Sequence, residues 1–252
     1  MMPARNIRKF LFPLLFLTGT VMSCHKPYYI QGHKEQLYTV EKNAAADSSV
    51  IRMLLPYKTG VDTQMRVVIG NTDIPLTKAQ PECTLGNFMT DAQLEAARRL
   101  DAQVVAAVTN YGSLRINYIG PGDITRGKMY ELMPFDNMLA IVEMPGSVLQ
   151  QFCDAMAARK GWPVSGLRFT IKDKKAENVL VDGKPINQHI VYKIALNDYL
   201  ARGGDYCSFL APLKKRYTSI FVRDILMQYL EALKKENKPL HPVIEKRIVY
   251  AE

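Results

Sequence analysis

The sequence predicts an α/β (α+β) fold, a mixed β-sheet with packed helices, and three observations lead there. Apolar residues at helical spacing alternate with short valine- and isoleucine-rich runs. Two strand-like segments bracket a charged loop as the arms of a hairpin do. Beyond Val50 the chain keeps about 200 residues, enough for one domain with a substantial core.

In chain order, Leu85, Phe88, Met89, Ala92, Ala96 and Leu100 recur at helical spacing, so a helix is expected over about 85–100, with Thr84 suited to cap it. Gln103 to Thr109 reads as a buried strand, short, valine-rich and closed by a turn. Met138 to Met144 makes a second strand. Ser147 then opens a helix with Val148, Leu149, Phe152 and Met156 on its apolar face, stopped by Gly161. Segments 167–172 and 178–182 form the hairpin, Ile190 to Leu196 another apolar strand, and about 219–235 a long amphipathic helix presenting Phe221, Ile225, Tyr229 and Leu233. Such alternation sums to a layered mixed architecture. No internal repeat or low-complexity block interrupts it.

The first residues have the layout of a secretory signal: Arg5, Arg8 and Lys9, an apolar run from Phe10 to Leu17, and Val21-Met22-Ser23 directly before Cys24. The run is shorter than the roughly 20 apolar residues a membrane span needs, which makes a permanent transmembrane helix the weaker reading. Val21-Met22-Ser23-Cys24 resembles the bacterial lipobox, whose cysteine is lipidated at cleavage; an ordinary signal with a chance cysteine is the alternative. The expected organisation is a lipoprotein signal peptide over 1–23, a polar tether over 24–49 and a domain over 50–252. A lipidated Cys24 would anchor an exported chain to a bacterial membrane, facing the periplasm.

Composition excludes several classes of function. The net charge of +9 includes no run of five or more Lys/Arg, and basic residues mix with acidic ones in Lys172-Asp173-Lys174-Lys175-Ala176-Glu177, so no nucleic-acid partner is expected. Past Cys24 the cysteines are Cys83, Cys153 and Cys207, an odd number without short pairing, and His25, His33, His189 and His241 do not cluster with them. Neither a disulfide framework nor a structural zinc site is indicated, and no cofactor is expected in this chain.

Three segments place polar or aromatic residues where a scaffold element gives way to a loop. In Thr109-Asn110-Tyr111-Gly112-Ser113-Leu114-Arg115, Gly112 allows a tight turn, Asn110 offers a donor and an acceptor, and Arg115 offers a planar fork for oxygen-rich ligands. In Leu132-Met133-Pro134-Phe135-Asp136-Asn137, Phe135 is either displayed for stacking on a ring or folded back on the core. In the segment from Leu196 to Tyr206, Gly203-Gly204 permits a reversal with positive φ that brings Tyr199 and Asp205 together. Taken singly, each is equally compatible with a plain connection.

Taken together, in this order and spacing, they resemble the C-terminal, substrate-binding domain of the 5'-nucleotidase family. Pro81 to Ala92 looks like that family's E-x-x-L-G-N-L-x-x-D-A helix start, Asn110–Arg115 like its N-G-G-G-I-R loop, Gly122-Asp123-Ile124-Thr125 like G-x-I-T, and Leu132–Asn137 like V-L-P-F-x-N. Val164–Leu167 is similar to the S-G-L segment and Asn197 onward to N-x-F-L-A-x-G-G-D-G-F. The resemblance implies that Phe135 and Tyr199, the latter in place of phenylalanine, stack on a nucleobase. It further implies that Asp205 holds ribose hydroxyls, that Asn110 contacts the nucleoside, and that Arg115 lies near sugar and phosphate. Tyr111 and Ser113 replace two glycines and are expected to narrow the loop's approach to a ligand, and Ala79 stands where the family has arginine, with Lys78 beside it. In that family, hydrolysis belongs to a metallophosphatase domain that holds two metal ions. Its D-x-H, G-D-x-x-D and G-N-H-[DE] signatures do not occur in these 252 residues. The resemblance therefore implies binding of a nucleoside or nucleotide, with catalysis and divalent metals supplied by a separate metallophosphatase chain. A stand-alone nucleotide-binding lipoprotein and a relic keeping only the fold are the alternatives.

Overall fold

The computed structural model describes residues 35–39 and 45–251. Residues 1–23 and Cys24, on which the expected signal and lipid anchor fall, lie outside the described residues. Contacts divide the chain into residues 1–48 and 49–252. No helix among the described residues is long and apolar enough to cross a membrane.

The chain enters through α1 (Ser48–Met65), which has no buried residue. Two small antiparallel ribbons follow from short strands: β1 (Val68–Thr72) pairs with β5 (Gly122–Thr125), and β2 (Leu76–Thr77) with β4 (Tyr118–Ile119). Between them lie α2 (Thr84–Leu100) and β3 (Val104–Val108). After β5 come α3 (Arg126–Leu132), β6 (Met138–Pro145) and α4 (Gly146–Ala157), then β7 (Val164–Ser165), the hairpin β8 (Leu167–Lys172) and β9 (Lys175–Val181), and β10 (Lys184–Pro185). The C-terminal third holds β11 (Val191–Asn197), α5 (Asp198–Ala201), β12 (Lys215–Phe221), α6 (Val222–Lys235) and β13 (Ile248–Tyr250).

The organising element is a five-stranded mixed sheet in the order β12-β6-β11-β3-β7. β11 runs parallel to β3 and antiparallel to β6. Because side chains alternate across a strand, each central strand feeds two cores. Leu139, Ile141, Ala107 and Ala195 join the cluster beneath α2 and α6, whereas Ala140, Val142, Val108, Ile194 and Leu196 join the cluster beneath α4 and the β8–β9 hairpin. Both faces of the sheet are thus covered, which is why its strands read as near-continuous apolar runs. A second, four-stranded sheet, β10-β9-β8-β13, backs the α4 side.

The expected α/β class holds, and several element boundaries need correction. The cap of α2 is Cys83, whose Sγ accepts from the Gly86 amide at 3.3 Å, while Thr84 Oγ1 accepts from the Thr77 amide at 2.8 Å and so ties the helix start to β2. Leu100, expected on the apolar face of α2, is 41 % exposed. α4 ends at Ala157, before Gly161. The helix expected from about 219 begins at Val222: Phe221 is its cap, and 215–221 is the edge strand β12.

Candidate functional site

The site forms where three chain segments leave the central sheet and the helix beside it. β3 runs into the turn at Asn110–Leu114, α3 into the loop before β6, and β11 into α5 and the loop after it. A cleft of about 260 Å³ is lined there by Asn110, Gly112, Ser113, Arg115, Phe135, Asn137, Tyr199 and Asp205. All five residues singled out as ligand contacts, from segments up to 95 positions apart, therefore share one cleft.

One wall is polar and knit together. Asn110, 5 % exposed, donates from Nδ2 to Asp205 Oδ2 at 2.7 Å. Its Oδ1 accepts from Ser113 Oγ at 2.5 Å and from Asn197 Nδ2 at 3.0 Å, and Asn197 Oδ1 in turn accepts from the Leu200 amide at 2.8 Å, capping α5. On the other side of the carboxylate, the Tyr199 hydroxyl donates to Asp205 Oδ1 at 2.9 Å and accepts from the Asp205 amide at 3.1 Å. That amide bond favours the phenolate, but the hydrogen bond to the carboxylate, burial and the negative charge of Asp205 outweigh it, so the phenol's pKa is raised. Both polar atoms of the Asn110 side chain are engaged within the chain, which fixes the direction in which Asp205 points.

The loop that carries Asp205 departs from expectation in one respect. Positive φ falls at Gly203 (95°), Asp205 (51°) and Tyr206 (62°), not at Gly204. Two consecutive non-glycine residues in the left-handed region store strain, which persists only where surrounding contacts enforce it. At Asp205 the two hydrogen bonds shared with Tyr199 do so. Gly204 serves close approach instead: a Cβ there would lie 2.5 Å from the Tyr199 ring.

The opposite wall is aromatic. Phe135 is 38 % exposed, displayed rather than folded back, and Tyr199, which also lines the cleft, is 45 % exposed. Ring pairs among the described residues are Phe88–Tyr229, Phe152–Trp162 and Phe152–Phe209, so Phe135 and Tyr199 do not stack on each other. The Arg115 guanidinium lies 5.3 Å from the Phe135 ring centroid, within cation–π range. Sequence reasoning missed what holds this loop. Arg223 of α6, 7 % exposed, donates from Nη1 to the carbonyls of Phe135 at 3.2 Å and Met133 at 3.3 Å and from Nη2 to Asp136 at 2.8 Å, and its guanidinium lies 4.1 Å from the Tyr130 ring centroid. Asn137 and Ser113 also line the cleft, and Asn197 supports it from below.

Of the two residues that replace glycines, Ser113 lines the cleft and Tyr111 does not. The Ser113 hydroxyl turns inward to Asn110, and the Tyr111 ring packs on the α4-side core with Lys78 Nζ 4.3 Å from its centroid. Lys78 also donates to the Leu114 carbonyl at 2.6 Å, and burial together with the nearby Arg115 charge lowers its pKa. Lys78 therefore braces the back of the Asn110–Arg115 loop and does not line the cleft. One carboxylate in the cleft, with no imidazole or thiolate beside it, does not match the donor set of a two-metal hydrolytic centre.

Comparison with known proteins bears on the family and the fold. Residues 67–212 match the model of the 5'-nucleotidase C-terminal domain. Over 156 residues the chain is 33 % identical to cell wall protein Lmo0130 of Listeria monocytogenes, covering 55 % of this chain and 20 % of that one. It is 26 % identical to protein UshA of Yersinia enterocolitica, covering 79 % and 37 %. Among solved structures, the 5'-nucleotidase precursor of Thermus thermophilus superposes with a TM-score of 0.70 at 27 % identity, over 80 % of this chain and 43 % of that one. The chain thus spans less than half the length of these relatives. With the family model covering more than half of its residues and the fold superposing on that structure, the chain belongs to the family of 5'-nucleotidase C-terminal domains.

Proposed function

We propose that this chain is the nucleoside- or nucleotide-binding half of a split 5'-nucleotidase, exported and held by a lipid on Cys24 at a bacterial membrane, facing the periplasm. The observation that carries the reading is the single cleft lined together by Phe135, Tyr199, Asp205, Asn110 and Arg115. An aromatic pair suits a flat base, a fixed carboxylate suits sugar hydroxyls, and a guanidinium suits phosphate oxygens. In this reading, hydrolysis of the phosphate ester belongs to a separate metallophosphatase chain that carries the divalent metals, since the cleft itself holds a single carboxylate.

The test is phosphate release from AMP with added divalent metal. The chain alone should release none, and a metallophosphatase chain that forms a complex with it should release phosphate faster in its presence. Continued inactivity of the assembled complex would overturn the split reading. A stand-alone nucleotide-binding lipoprotein remains as second reading, favoured by the fact that the Asn110–Asp205–Tyr199 network is complete within this one chain. It requires micromolar affinity for a nucleotide without any partner.

A further inference from the structure

We infer that Lys215 is a positioning residue for the ligand loop: its ammonium closes the neck of residues 202–209 and so holds Asp205 and Tyr199 where a ligand meets them. The inference rests on the nucleoside-binding reading above and adds a residue that acts on the cleft without lining it.

Lys215 is the first residue of β12, opposite Val142 of β6, and the carbonyl just before it, that of Lys214, accepts from the Glu143 amide at 2.9 Å. The backbone from which its side chain leaves is therefore fixed by the central sheet. From there Nζ donates to the carbonyls of Ala201 at 2.7 Å, Leu210 at 3.0 Å and Ala211 at 2.7 Å. An ammonium has three donors and no acceptor, so its whole capacity is spent on these carbonyls. Ala201 ends α5, the helix that carries Tyr199, and the 3-10 turn Ser208–Leu210 ends just before Ala211. Carbonyls at such ends point out of the helix, carry partial negative charge and attract a cation. Between the two anchored ends lies the loop, with Asp205 in its middle and positive φ at Gly203, Asp205 and Tyr206. Its two arms run close together: a Cβ on Gly203 would stand 2.9 Å from Ser208 Cα. The Tyr199 hydroxyl holds the loop at Asp205, and Lys215 holds both arms at the base. Strained backbone persists only while the surrounding structure enforces it, and without the ammonium three carbonyl dipoles converge with no cation between them. The neck then opens, and Asp205 occupies its place in the cleft for only part of the time.

The experiment uses the whole chain, natural and with Lys215→Met or Lys215→Ala, and reads adenosine affinity by calorimetry together with amide hydrogen exchange over 198–211 in the absence of ligand. Lys215→Met keeps an apolar stem and removes the donors. Its affinity should fall about tenfold, as for a loop in place about a tenth of the time, and exchange in 198–211 should rise while that of α2 and β3 stays as in the natural protein. Propylammonium replaces the part of the side chain that Lys215→Ala removes and should restore both readouts in that variant. Tetramethylammonium at equal concentration, a cation without N–H donors, should restore neither. Unchanged affinity in folded Lys215→Met would overturn the inference, as would equal rescue of Lys215→Ala by the two cations. Exchange that rises evenly over the whole chain would overturn it too, because Lys215 would then stabilise the fold and not the loop. If the natural protein binds no adenosine, alone or with a metallophosphatase chain, while exchange in 198–211 still rises in Lys215→Met, the nucleoside-binding reading falls and the closing of the loop by Lys215 stands.

Discussion

The two walls of the cleft are built on different principles. The Asn110–Asp205 wall is held by side chains bonding to side chains: hydrogen bonds of 2.5 to 3.0 Å link Asn110, Ser113, Asn197, Tyr199 and Asp205, and each polar atom of the Asn110 side chain has a partner. The Phe135 wall is held by its backbone, through one arginine reaching from α6 to two carbonyls and Asp136, while the phenyl ring itself is displayed to solvent. The first wall is stiff in the atoms that would contact a ligand; the second is stiff one step behind them. A sugar demands fixed directions and a base only a flat face, so each wall has the rigidity its assigned contact needs.

The largest expected effect comes from removing the clamp of the aromatic wall. Arg223→Ala leaves two carbonyls without their donor and opens space beside Tyr130, and should cost about 2–4 kcal/mol of stability, read from the urea midpoint. If the walls are independent, this variant should weaken nucleoside binding and leave any preference for ribose intact. Next, Asn110→Ala leaves Ser113, Asn197 and one oxygen of Asp205 each short of a partner, and should cost about 1–3 kcal/mol while erasing sugar selectivity. Phe135→Ala removes a partly exposed ring, so stability should move by no more than about 0.5 kcal/mol. Loss of a base–aromatic stack is worth about 1–3 kcal/mol, so its nucleoside affinity should fall about 5- to 150-fold. A loss confined to stability in Asn110→Ala, or confined to affinity in Arg223→Ala, would break the comparison.

A separate effect appears in alkali, where one of three buried thiols, Cys207, donates from Sγ to the Asp205 carbonyl at 3.7 Å. Burial raises the thiol pKa of Cys83, Cys153 and Cys207, the last to about 11. Because the folded pKa lies above the unfolded one of about 8.5, the associated stability is fully present below that value and lost as pH rises through the folded pKa. Stability should therefore decline from about pH 9 toward pH 11, and all three cysteines should resist alkylation at about pH 8 until denaturant is added.

What the sequence made legible follows the length scale of the interactions. α2, α4, β3, β6 and β11 were readable because each buries a periodic or continuous apolar face against the central sheet. β12 was not, because this edge strand alternates only weakly and its Phe221 continues the helical spacing of Ile225 and Tyr229. The ribbons β1–β5 and β2–β4 are too short to carry a period. In the site, the five ligand-facing residues were legible from motif order, whereas Arg223 was not, since its partners lie 87 to 90 positions away and nothing local distinguishes it from a surface arginine. Nor was the strain at Asp205 and Tyr206 visible, because Gly203-Gly204 offered the obvious place for positive φ.

The most direct measurement is the binding of adenosine and AMP to the purified chain, in the natural form and in the double variant Phe135→Ala/Tyr199→Ala, by calorimetry with any metallophosphatase partner present. The account predicts saturable one-to-one binding that the double variant loses by at least tenfold while retaining its fold. Unchanged affinity in a folded double variant, or no binding by the natural chain, would contradict it.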